Sequence, residues 1–192
     1  MVGNTPAGDR ERRHQVLQAA LMTFSRYGFR KTSMDAVARE ADISRPGLYF
    51  LFTDKAALFR ETMRQALDDA LAEVTEILAR ADTTPRDRLA AAMDAWLGRH
   101  VGTGIAAGAG ELLENSAAQL GTMYAEYRAA FLDKLADAVV EAWDESAVPH
   151  PGIPPRAAAE VLHAAATGWK YQLDSRAEFV AKTALTVNLM FP

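Results

Sequence analysis

Two short helical segments, each with an apolar stripe, lie only three residues apart in this 192-residue chain. Met34, Val37, Ala38 and Ala41 form the first; Leu48, Leu51 and Phe52 form the second. Both recur at helical spacing. Asp42, Ile43 and Ser44 between them leave room for a tight corner and nothing longer. Asp42 tolerates left-handed backbone angles, Ile43 plugs the corner, and Ser44 caps the helix that follows. Pro46 falls in that helix's first turn, where a missing N–H is harmless. Two helices must therefore share one small core, with Gly47, Tyr49 and Phe50 left towards the outside.

The remaining chain reads as helix throughout. Val16, Leu17, Ala20, Leu21, Phe24 and Tyr27 predict a first helix from Arg10, ending at Gly28 in the C′ position. Residues 1–9 carry no periodic pattern and are expected to form a flexible arm. Thr32 with Asp35 three residues on predicts the cap of helix two. Thr53 or Asp54 opens a fourth helix, residues 54–81, striped by Leu58, Phe59, Met63, Leu67, Leu71, Val74 and Leu78. Pro85 suits the first turn of helix five, which carries Leu89, Met93 and Trp96. Residues 98–110 hold five glycines and weaken any helix there. Four more helices follow: one over Glu111–Leu120, then those marked by Tyr127 to Trp143, by Val161 to Trp169, and by Val180 to Phe191, the last opened by a Ser175–Glu178 capping box. No segment alternates as a strand would. The expectation is an all-α chain of about nine helices, with a helix-turn-helix domain over 10–53 and a second domain over 54–192.

Charge is distributed unevenly. Residues 1–60 carry +4, whereas residues 61–192 carry −8, giving the net −4. A basic end on an acidic body suits a chain of which one end alone meets a polyanion. The absence of cysteine removes disulfides and thiolate metal sites. His14, His100, His150 and His163 form no metal spacing, and no nucleotide-binding loop or nucleophile elbow occurs. The chain is read as a non-enzyme without cofactor or metal. With no signal segment and no apolar run of bilayer length, it is expected in the cytoplasm.

Residues 28–59, GFRKTSMDAVAREADISRPGLYFLFTDKAALF, strongly resemble the DNA-binding region of the tetracycline-repressor (TetR) family. The matching features are Gly28, Thr32-Ser33, Val37-Ala38, Ile43-Ser44, Leu48-Tyr49, Phe52 and Lys55; Asp42 departs from the family's usual glycine. The resemblance implies that helix three enters the major groove. It places Ser44, Arg45, Pro46, Gly47, Tyr49 and Phe50 at the DNA. Arg45 would fork onto guanine or hold a phosphate. Gly47 and Pro46 would permit close approach. Tyr49 would reach a phosphate, and Phe50 would meet a thymine methyl or pack on the protein. Thr32 and Ser33 at one helix start and Lys55 at another would hold phosphates. Arg10, Arg12 and Arg13 are read as a charged tail.

The resemblance also implies a homodimer on a palindromic operator, a repressor more than an activator, and release by a small hydrophobic effector. Helices eight and nine would form the dimer interface, unless their apolar surface closes the chain's own core. Trp96, His100, Tyr124, Tyr127, Phe131 and Trp169 would line an effector pocket, or serve as ordinary core.

Overall fold

A computed structural model describes residues 6–102, 117–145 and 152–192, with backbone alone for residues 6–10, 100, 117 and 118. The described residues contain no strand, and the fold is all-α. Helices α1 to α5 span Pro6–Lys31, Met34–Glu40, Arg45–Leu51, Lys55–Leu78 and Pro85–Leu97; a 3-10 turn follows at Gly98–His100. Helices α6 to α9 span Ala117–Leu120, Met123–Asp144, Pro155–Gln172 and Arg176–Met190. The gap at 103–116 takes most of the glycine-rich stretch and of helix Glu111–Leu120 outside the described residues.

The described residues group into two compact units. One holds residues 6–67 with 117–123, and the other holds 68–102, 124–145 and 152–192. The division falls inside α4, so that helix belongs to both.

In the first unit, α1 contributes Val16, Leu17, Ala20 and Phe24 to a core completed by Val37, Leu48, Phe52, Leu58, Phe59 and Met63. Phe24 and Phe59 meet edge to face, with centroids 4.9 Å apart, and neither is exposed. Burying each such ring contributes about 1.5–3 kcal/mol. The helix begins at Pro6 rather than at Arg10, so residues 6–9 of the expected arm are helical. Proline suits a first helical position, because its lost N–H is unpaired there anyway. Gly28 breaks the helix with φ 74° and ψ 164°, angles that side chains disfavour. Only a short turn, Phe29–Lys31, continues beyond it.

In the second unit the long helices supply their own stripes. Val74, Leu89, Met93, Phe131, Leu135, Val139, Leu162, Phe179, Val187 and Phe191 are all buried together. Thr84 caps α5 by accepting from the Asp87 amide, and Ser175 caps α9 by accepting from Glu178. Arg176 forks onto Asp94 with contacts of 3.1 and 2.7 Å, tying the start of α9 to α5. α4 ends at Leu78, short of the expected Ala81.

Candidate nucleic-acid interface

Helix α3 is seven residues long, too short to stand without outside support. Its start is capped by Ser44, whose hydroxyl accepts from the Gly47 amide at 3.1 Å. The corner before it turns on Asp42, which adopts φ 50°, the left-handed region. The Ile43 amide donates to the Ala38 carbonyl at 2.9 Å and closes the corner on α2. At the other end, Arg13 Nη1 donates to the Leu51 carbonyl at 3.1 Å while its guanidinium lies 4.4 Å from the Phe52 ring. A cation there satisfies an unpaired carbonyl and opposes the negative end of the helix dipole.

Leu48 is the wholly buried residue of α3; the opposite face is open. Tyr49 is 42% exposed and Phe50 is 90% exposed, an unusual setting for a phenylalanine. Arg45, Pro46 and Ser44 share that open side, with Gly47 partly covered. Arg45 Nη1 donates to Asp35 Oδ2 at 3.3 Å, and its guanidinium lies 5.6 Å from the Tyr49 ring centroid. The Tyr49 hydroxyl first, and the Asp35 carboxylate next, raise the Arg45 guanidinium above its ordinary pKa. Arg30 and Lys31 stand exposed just ahead of α2.

Three expectations change at this site. Thr32 does not cap α2; Ser33 does, accepting from the Ala36 amide at 3.1 Å. Thr32 is buried instead. Its hydroxyl donates to the Gly28 carbonyl at 2.8 Å, and its amide to the same oxygen at 3.2 Å, so neither donor is open to a phosphate. The cause is the turn at Gly28, which folds the carbonyl back over Thr32. Lys55 is likewise turned inward. Its ammonium donates to the carbonyls of Phe29 at 2.9 Å, Thr32 at 3.0 Å and Arg30 at 3.4 Å, and lies 4.6 Å from the Phe29 ring centroid. All three protons meet the carbonyls left unpaired where α1 ends. The cap of α4 is Asp54, accepting from the Ala57 amide at 2.8 Å, so a carboxylate already occupies that helix start.

Arg13 belongs to the fold rather than to a charged tail. Its signal was present: Arg13, Leu17, Ala20 and Phe24 share one helical face. Asp35 had no comparable signal, since its partner lies ten residues on, across the corner.

The residues expected to line a pocket sit in the second unit. Trp96 stacks on the fully buried Phe131 at 4.5 Å, and Phe131 meets His163 edge-on at 6.0 Å. Trp169 Nε1 donates to the Thr186 hydroxyl at 3.2 Å. The Tyr127 hydroxyl donates to Asp68. Tyr124 is half-buried, and the His100 side chain lies outside those described. His163 escaped notice in the sequence as a residue without role. It is buried, and its Nε2 has no hydrogen-bond partner among the described residues. Burial first, then the charges of Arg128 and Lys170, push its pKa down to about 4.

A short helix with an open face, held on a tight corner by a longer supporting helix, is the helix-turn-helix of DNA-binding proteins. Residues 16–62 match the family of bacterial regulatory proteins called tetR. The transcriptional activator FasR of Mycolicibacterium smegmatis is 36% identical over 86 residues, 45% of this chain and 39% of FasR. The regulator RutR of Escherichia coli K12 is 42% identical over 57 residues, 30% of this chain and 27% of RutR. Both matches span less than half of the relative's length. Solved structures match across nearly the whole chain. Reduced NemR of Escherichia coli gives a TM-score of 0.77 at 18% identity, covering 94% of this chain and 98% of that one. FadR of Bacillus subtilis, in complex with stearoyl-CoA, gives 0.71 at 17% identity, covering 93% and 97%. At such identities the likeness is one of fold. The N-terminal end of the chain carries the DNA-binding domain of the TetR family, and the described fold as a whole is shared with solved TetR-family regulators.

Proposed function

We propose that the chain regulates transcription by binding a palindromic duplex as a homodimer, most simply as a repressor, and leaves it when a small hydrophobic effector binds. The single observation that carries the DNA reading is the sidedness of α3: Leu48 is wholly buried while Arg45, Tyr49 and Phe50 face outward. A ring exposed as fully as Phe50 has no role within the fold and suits an apolar patch such as a thymine methyl. Ser33, Ser44, Arg45, Tyr49 and Phe50 are the contact residues this reading retains. Pro46 and Gly47 keep the approach low. Arg30 and Lys31 join them as phosphate ligands, and Lys55 acts by holding the scaffold.

The homodimer reading rests on α8 and α9. Val161 is 58% exposed, and Ala164, Gly168 and Tyr171 follow it along one side of α8. On α9, Leu185 is 52% and Leu189 74% exposed. Small residues on one helix and leucines on the other suit a close helical interface with a second copy. Leu162, Ala166 and Val187 on the same helices are buried in the chain's own core, so each helix has two apolar sides.

The effector reading is supported by the Trp96–Phe131 stack, by the unpaired Nε2 of His163 and by the stearoyl-CoA bound to the FadR neighbour. In described residues, a cavity of about 160 Å³ lies elsewhere, among Thr75, Leu78, Lys134, Asp137, Ala138 and Glu141. A mobility-shift titration against duplexes enriched from a random pool tests the whole reading. Saturable binding, two protomers per duplex and weakening with salt are expected. Binding that ignores duplex sequence and salt would defeat it.

A further inference from the structure

We propose that Asp35 sets the sequence preference of the α3 face by fixing the pose of Arg45. The inference rests on the reading of α3 as the helix that meets DNA. Arg45 is the one charged residue of α3. Asp35 stands in the first turn of α2, and its two oxygens lie 3.2 Å from Nε and 3.3 Å from Nη1 of Arg45. The Tyr49 ring centroid lies 5.6 Å from the same guanidinium. The cation thus meets a carboxylate and a ring that belong to different helices.

Stability does not explain this arrangement. Both side chains are more than half exposed, and exposed pairs of this kind contribute little. Selectivity does. A free arginine at the tip of a groove-entering helix takes whichever phosphate is near, and such contacts carry no sequence information. Asp35 offsets that charge, and its own charge opposes the phosphates. A guanidinium has five N–H groups, so the two contacts to Asp35 through Nε and Nη1 still leave donors for a guanine edge. Asp35 therefore works as a positioning residue: it weakens the indiscriminate contact and holds the fork for the discriminating one.

The test compares wild type with Asp35→Asn, Asp35→Glu, Arg45→Ala and the double variant Asp35→Asn/Arg45→Ala. The probes are a duplex that wild type enriches from a random pool and a shuffled duplex of equal composition, each titrated over a range of salt. Asp35→Asn should lower the selected-to-shuffled affinity ratio about fivefold or more. It should do so mainly by tightening the shuffled complex and steepening its salt slope by about one. Asp35→Glu should keep the ratio within about twofold, and Asp35→Asn should change nothing further once Arg45 is alanine. An unchanged ratio in Asp35→Asn, or an equal fall with Arg45 absent, overturns the proposal. If Asp35→Asn fails to fold, Asp35→Ser, which keeps a hydroxyl in the first turn, takes its place with the same outcomes. Wild type that enriches no duplex defeats the DNA reading and this one with it. Enrichment with an unmoved Asp35→Asn ratio defeats this one alone.

Discussion

The two units of the chain fix their helices by different means. In the first unit a core around Phe24 and Phe59 is joined by side chains that hold the backbone carbonyls at the ends of the short helices. Lys55 holds three of them where α1 ends, Arg13 holds that of Leu51 where α3 ends, and Thr32 holds that of Gly28. In the second, the long helices are held chiefly by their own buried apolar stripes, in which Phe131, Phe179 and Phe191 are wholly covered. The lengths of the elements explain the contrast. Helices α2 and α3 have seven residues each, so most of their backbone groups belong to an end, and ends need donors and acceptors from outside. Helices α7, α8 and α9 have 22, 18 and 15 residues and bring long apolar stripes of their own. A surface helix with one face left open has too little apolar area to anchor itself, and polar clamps at its ends make up the difference.

Substitutions on either side test that contrast. The largest effect belongs to the ring-packed unit. Phe131→Ala should destabilise the protein by about 3–5 kcal/mol in urea denaturation, as expected for a ring lost from a closed core. A loss below about 1.5 kcal/mol would show instead that the Trp96–Phe131 stack borders open space, which would favour the pocket over the core.

Next comes the clamp. Lys55→Met keeps the stem and removes the ammonium, leaving three carbonyls without their donor. A loss of about 2–3 kcal/mol is expected, discounted for partial exposure. DNA binding should fall only through loss of folded protein. If the variant is as stable as wild type and its salt slope is flatter by about one, Lys55 acts on phosphate and the contrast fails at its main example.

These examples also mark what the sequence could tell. The corner at Asp42, the Ser44 cap, the break at Gly28 and the proline starts of α3 and α5 were legible, because each depends on residues within four of one another. The cap of α2 was misplaced by one residue, since Thr32 and Ser33 carry the same hydroxyl and only the fold decides which is buried. The partners of Lys55, Arg13 and Arg45 were not legible. The carbonyl partners of Lys55 and Arg13 and the carboxylate partner of Arg45 lie at least ten residues away, and a charge near a helix start reads the same whether it faces phosphate or carbonyl. In the second unit, apolar periodicity announced the helices, yet a core ring and a pocket ring have the same spacing.

His163 sharpens the comparison through pH. The folded unit holds its imidazole neutral down to about 4, whereas an unfolded chain protonates it near 6.5. Its contribution is complete at pH 7 and above. It is lost as pH falls from roughly 6.5 towards 4, because the unfolded state then binds the extra proton. Stability curves of wild type and His163→Gln should therefore converge or cross in that window, with a differential of roughly 2 kcal/mol. Parallel curves from pH 7 to 4 would mean that the imidazole titrates freely.

The smallest effect is expected at Gly47, where two explanations of one residue separate. A Cβ there would lie 3.1 Å from the Ser44 hydroxyl, the atom that caps α3. Helix propensity favours alanine by about 1 kcal/mol, and disturbing the cap removes a similar amount. Gly47→Ala should therefore leave stability within about 0.5 kcal/mol of wild type. In a Ser44→Ala background the conflict is gone, and the same change should stabilise by about 1 kcal/mol. If the glycine serves the cap alone, the double variant binds duplex no worse than Ser44→Ala. If it serves close approach to the groove, affinity falls in both backgrounds while stability does not, because an added methyl meets DNA whatever the cap is doing.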